Sequence, residues 1–131
     1  MAAMGIPISF DKGDSFRQTN SMKRLLLSFV LMMLVSMVHA EESKEIVKWF
    51  RLAAEQGNAI AQTNLGVMYY LGTGVIKDMV EAHAWFNVGS AQGNENARGL
   101  LPMAEEEMTK DQIAEATKLA REYFEKYGKE K

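Results

Sequence analysis

The sequence predicts an all-α protein: a short α-solenoid of antiparallel helix pairs, two repeats long, closed by a C-terminal capping helix. Two observations carry that reading. Trp49-Phe50 returns 36 residues later as Trp85-Phe86, and the tripeptide Gln-Gly-Asn at residues 56–58 returns at 92–94 with the same spacing. A period of that length marks a stack of small supersecondary units, each burying its apolar side against the next. Within each unit, apolar residues recur at helical spacing and glycine-asparagine pairs separate them.

The bulk properties narrow the function classes. A chain of 131 residues, 47% apolar and 24% charged, has ordinary globular composition and the length of one compact domain. Its formal net charge of −2 supplies no basic field for phosphate neutralisation, so no nucleic-acid partner is expected. Cysteine is absent, which removes disulfides, thiolate zinc sites and a cysteine nucleophile together.

Residues 1–21 show no sustained period and several turn formers, and they read as an over-extended start or a disordered leader. Residues 22–40, "MKRLLLSFVLMMLVSMVHA", have two basic residues, an apolar centre from Leu25 to Val38 and small residues before the acidic "EESKE". That is the layout of a secretory signal peptide. At about 1.5 Å per helical residue the apolar centre falls short of a hydrocarbon core about 30 Å thick, which disfavours a permanent span. Cleavage after Ala40 would leave a 91-residue domain, 41–131, with a net charge of −4, exported to a periplasmic or secreted location and without a stable membrane span.

In that domain Ser43 can cap a first helix whose Ile46, Trp49, Phe50 and Ala53 form one apolar stripe. Gly57 ends it, and Asn58 can cap the next helix, expected over about 59–71 with Ala61, Leu65 and Met68 on one face. Ala53, Ala54, Ala61 and Gly66 are small enough for the two axes to approach closely. Gly72 stops that helix and Asp78 caps a third, about 79–91, bearing Ala82, Trp85, Phe86 and Gly89. The fourth departs from the pattern at Gly99 and Pro102, and a kink or restart is expected near Pro102. Thr109 and Gln112 fit a capping box opening the last helix, 109–127, whose Ile113, Ala116, Ala120, Tyr123, Phe124 and Tyr127 would cover the end of the stack.

The string "AAEQGNAIAQTNLGVMYYLGTGV" (residues 53–75) resembles the Sel-one-like repeat (SLR), a tetratricopeptide-related helical repeat. Ala54, Gly57, Ala59, Ala61, Gln62, Leu65, Gly66, Tyr69, Gly72, Gly74 and Val75 stand at its motif positions. The second copy is recognisable through Asn94 and Ala97 and then decays, and "MTKDQIAEATKLAREY" resembles the closing helix of small exported bacterial members. The resemblance implies a non-catalytic scaffold or adaptor that binds another protein or peptide through the solenoid surface.

The residues themselves supply no chemistry that competes with this. His83 stands alone without a second ligand at i+4, so no metal site is expected. "LGTG" lacks the lysine and preceding strand of a phosphate loop. Glu105, Glu106 and Glu107 splay around a helix and read as a solvated face, and the four tyrosines read as core residues with hydroxyls at its edge. No catalytic residue, cofactor or metal is therefore expected. The partner surface is expected on Val47 and Arg51 and on their repeat equivalents His83 and Asn87, which avoid the apolar stripe. The alternatives are an SLR enzyme binding or hydrolysing a cell-wall substrate, and a structural homodimer.

Overall fold

The computed structural model describes residues 2–128, with side chains from Asn20 onward. Five helices follow in order: α1 Ala2–Glu55, α2 Ala59–Leu71, α3 Met79–Ala91, α4 Glu95–Glu106 and α5 Lys110–Tyr127. No strand occurs among the described residues. The chain divides into two compact units, Met1–His39 and Ala40–Lys131.

In the first unit the large apolar side chains from Met22 to Val38 are all exposed. The helix from Asn20 is long and apolar enough to cross a membrane by length and composition, a property that signal sequences share. The leader reading of residues 1–21 falls mostly on side chains outside the described residues.

The second unit is the repeat stack. Ser43 lies within α1 and does not cap a helix start, because no glycine or proline interrupts the run from Met22 to Glu55. The hinges match the sequence expectation. Gly57 (φ 88°) and Gly93 (φ 93°) adopt left-handed backbone. Around each, paired bonds close the preceding helix: Asn58 N–H to the Ala53 carbonyl (3.1 Å) with Gly57 N–H to Ala54 (3.0 Å), and Asn94 N–H to Gly89 (2.9 Å) with Gly93 N–H to Ser90 (2.9 Å). The Asn58 and Asn94 side chains then accept from Ala61 N–H and Ala97 N–H, both at 3.0 Å, and start the next helix. A methyl group at Gly93 would meet nothing within 4 Å. Gly93→Ala is therefore expected to cost only the left-handed backbone strain, about 1–2 kcal/mol, measurable by urea unfolding.

The middle helix is enclosed on most sides. Ala82 and Phe86 of α3 pack with Ala104 of α4 and with Val67, Tyr69 and Tyr70 of α2. Ala84 and Val88 pack against Ala120 and Leu119 of α5. Trp85 joins Val47 and Ala54 of α1 and Ala61 and Leu65 of α2, and its ring stacks on Tyr123 (centroids 4.5 Å) and Tyr127 (6.0 Å). A close approach of α2 to α3 uses the one residue without a side chain in α2: a Cβ at Gly66 would lie 2.6 Å from the Phe86 ring. Helix α4 passes through Pro102 without a restart and ends at Glu106, about one turn later. The capping box of Thr109 and Gln112 opens α5 as expected.

Two expectations are corrected. Trp49, placed in the apolar stripe, is 69% exposed, whereas its equivalent Trp85 is 1% exposed. Ile46 of the same stripe is exposed as well, and the side of α1 turned to the core carries Val47 and Ala54 beside the expected Phe50 and Ala53. Trp85 is covered because α1 and α2 precede it and α5 folds over it.

Candidate protein-binding surface

The structure does not gather the four expected surface residues. Val47 is 5% exposed and belongs to the core around Trp85. His83 is 2% exposed; its Nε2 donates to Glu105 Oε1 at 2.8 Å, and its Nδ1 has no partner among the described residues. Both are corrected to buried positions, for the same reason at each: this side of the first helix in a repeat faces the element that follows. For Val47 that is the turn at the end of α2, where a Cβ on Gly74 would lie 2.9 Å from its Cγ2, and for His83 it is the end of α4. Glu105 is accordingly part of the packing scheme and not simply a solvated carboxylate.

Arg51 is half-buried and committed elsewhere in the fold. Its guanidinium donates to the Tyr69 hydroxyl and lies over the Tyr69 ring, 5.8 Å from the centroid. Burial lowers the Arg51 pKa, but the Tyr69 bond and the nearby Glu55 and Glu81 charges outweigh it and leave the group above its ordinary value. Close by, the Tyr123 hydroxyl donates to both Glu81 oxygens, at 2.9 and 3.0 Å. Burial first and then the Glu81 bond push the Tyr123 phenol well above its usual range. These groups tie α1 to α2 and α3 to α5 while keeping their polar atoms satisfied.

Asn87 does face solvent in part. It lines a cleft of about 290 Å³ between α3 and α5 together with Ala91, Thr117, Arg121, Phe124 and Glu125. Phe124 is 42% exposed, so the cleft has an aromatic wall, an amide with both donor and acceptor, and charges of both signs at its rim. Sequence reasoning placed Phe124 in the core. The signal that could have marked it is its position one residue beyond Tyr123, outside the narrow face that α5 needs to cover α3.

A second exposed cluster joins the end of α2 to the end of α4. The Tyr70 hydroxyl donates to Glu107 Oε1 at 2.6 Å, and Lys77 Nζ lies 3.6 Å from Glu107 Oε2. The Tyr70 bond, aided by Lys77, holds the Glu107 carboxyl below its ordinary value of 4.5. A lowered folded-state pKa means that this tie contributes above about pH 4.5 and is lost as pH falls through the folded value. Tyr70→Phe is expected to move the Glu107 titration midpoint upward towards 4.5, read by carbon-13 NMR of the side-chain carboxyl.

No group of three or more histidine, cysteine, aspartate or glutamate side chains that could hold a metal occurs among the described residues. The comparisons with known proteins agree with the repeat geometry. The Sel1 repeat family matches residues 47–58, the end of α1 with its hinge, and 59–94, which hold α2 and α3 as far as the second hinge. In three dimensions the chain superposes on a protective antigen present in uropathogenic Escherichia coli strains, c5321, which displays an SLR fold, with a TM-score of 0.63 and 37% identity.

Residues 47–94 form a Sel1-like repeat region.

The superposition covers 66% of this Sel1-like chain and 19% of c5321. Among curated proteins it is 38% identical over 63 residues to DAP3-binding cell death enhancer 1 of Rattus norvegicus, covering 48% of this chain and 12% of that protein. The Sel1-like chain thus spans a small part of the length of either relative. Sel1 repeats are typically protein–protein interaction modules.

Proposed function

We infer that this Sel1-like repeat chain is an exported, non-catalytic adaptor that binds an extended segment of another protein in the cleft between α3 and α5. The observation that carries the reading is the half-exposed Phe124 beside the Asn87 amide, with Arg121 and Glu125 at the rim. An apolar ligand side chain fits against Phe124 and Ala91. A ligand peptide bond can pair with both ends of the Asn87 amide, and an acidic neighbour with Arg121.

The test is selection of displayed peptides on the full chain. Selected peptides are expected to bind the Asn87→Ala, Phe124→Ser double variant at least tenfold more weakly, about 1.4 kcal/mol. Undiminished binding would place the site elsewhere. Arg51→Ala serves as the control, because its guanidinium is held by Tyr69.

Export is supported by the exposed apolar helix that begins at Asn20. N-terminal sequencing of the protein made in a bacterial host is expected to find Glu41 first, in the soluble exported fraction. A membrane-bound form that keeps residues 22–40 would make the segment an anchor.

A further inference from the structure

We propose that the face of α1 and α2 formed by Trp49, Ala53 and Gln56 docks a Sel1-like helix pair belonging to a different protein. The chemistry of the occupant is set by what covers the same positions one repeat later. Trp85, Gly89 and Gln92 stand 36 residues after Trp49, Ala53 and Gln56, and they are the residues by which the second repeat docks on the first.

Inside the chain that docking has three parts. Trp85 packs on Val47, Ala54 and Leu65. Gly89 lies so close to α2 that a Cβ there would be 2.6 Å from Thr63 Oγ1. Gln92 Nε2 donates to Gln62 Oε1 at 2.7 Å, while Gln62 Nε2 donates to the Ala54 carbonyl at 3.0 Å. The earlier set keeps the tryptophan and the glutamine and has alanine in place of the glycine; Trp49 and Gln56 are both exposed, while Ala53 is half-buried at the edge of the core around Trp85. Ala53 and Gln56 also line an open cleft of about 470 Å³ with Asn58, Ala59 and Ile60. In the internal docking the corresponding side of the hinge lies against the second helix of the preceding pair. The occupant therefore presents an aliphatic residue, an alanine and a glutamine acceptor in the arrangement of Val47, Ala54 and Gln62, and, because Ala53 carries the Cβ that Gly89 lacks, a residue without a hydroxyl at the position of Thr63.

A second copy of this chain does not present that arrangement on its trailing repeat. The positions equivalent to Val47, Ala54 and Gln62 are His83, Ser90 and Arg98. His83 is turned to Glu105. Arg98 is exposed, pairs with Glu95 at 3.4 Å, and has no acceptor for a glutamine amide. The occupant is thus a helix pair that has kept the apolar-and-glutamine set this chain lost in its second repeat.

The experiment uses the full chain in mild detergent and a synthetic peptide of residues 43–74 carrying Trp49→Phe and Thr63→Ala, which offers the receiving surface without a tryptophan and leaves room for the Ala53 Cβ. Acrylamide quenching reads Trp49, since Trp85 is buried. The peptide is expected to reduce the quenching constant of the accessible tryptophan severalfold with saturation. Gln56→Glu in the full chain, which replaces the exposed amide donor by a carboxylate, should abolish that protection while leaving its unfolding temperature unchanged.

A second chain, with residues 41–76 carrying Thr63→Ala repeated ahead of Glu41, removes the need for the peptide to fold alone. It should show one accessible tryptophan of three. Two accessible tryptophans together with no protection by the peptide would overturn the proposal. Protection of Trp49 that grows with chain concentration in the absence of peptide would assign the face to a second copy and overturn the choice of occupant.

Discussion

Trp85→Ala is expected to lower the unfolding free energy by about 3–5 kcal/mol, the range for truncating a large aromatic side chain in a core that cannot collapse fully. Trp85 is fully buried, and elements before and after it in sequence meet at its ring. It stacks on Tyr123 and Tyr127 and closes over Val47 and Ala54, so its removal opens a cavity shared by four helices. Trp49→Ala, at the equivalent position of the first repeat, is expected to change stability by no more than about 0.5 kcal/mol, as for an exposed site. Denaturant unfolding of the two variants measures the difference. Equal losses would mean that Trp49 is packed and that the two repeats are not in the arrangement described.

The second large effect is expected from Gly66→Val. The position is helical, so a branched residue there gains nothing from backbone freedom and meets the Phe86 ring at 2.6 Å and the Ala82 carbonyl at 3.1 Å. The ring is itself buried and cannot step aside. Overpacking of this kind costs about 1–3 kcal/mol. The companion Gly66→Val, Phe86→Leu variant should recover part of the loss if the Phe86 contact is its cause, which a double-mutant cycle in urea resolves. Additive losses would trace the effect to Ala82 instead.

Most of the helix boundaries were legible because they rest on local chemistry. Asn58, Asp78, Asn94 and Thr109 each accept a bond from a backbone N–H three residues on, and the glycines of the two hinges follow from the same few residues. What the sequence did not carry is which side of each helix has a neighbour. Trp49 and Trp85 have the same local surroundings, the same Phe after them and the same hinge beyond. Only the presence of α5 and of a preceding pair buries one and leaves the other exposed.

The partner surface failed for that reason. Val47 and His83 lie off the stripe that includes the tryptophans, yet they face the next element in the stack, and repeat position alone does not distinguish a side turned to solvent from one turned to a later helix. Asn87 kept part of its surface because α5 leaves a gap beside it. Arg51 kept little freedom because Tyr69, eighteen residues on, takes its guanidinium.

The pairing of Glu81 with Tyr123 also bears on the order in which the protein is made. The two residues are 42 positions apart, and the stack over Trp85 depends on the same tyrosine. A chain emerging from the ribosome completes its first helix pair while the widest ring of its core still lacks a cover. Until α5 has followed, Trp85 remains an apolar handle for chaperones. The element that finishes the fold is therefore also the one whose arrival ends that window.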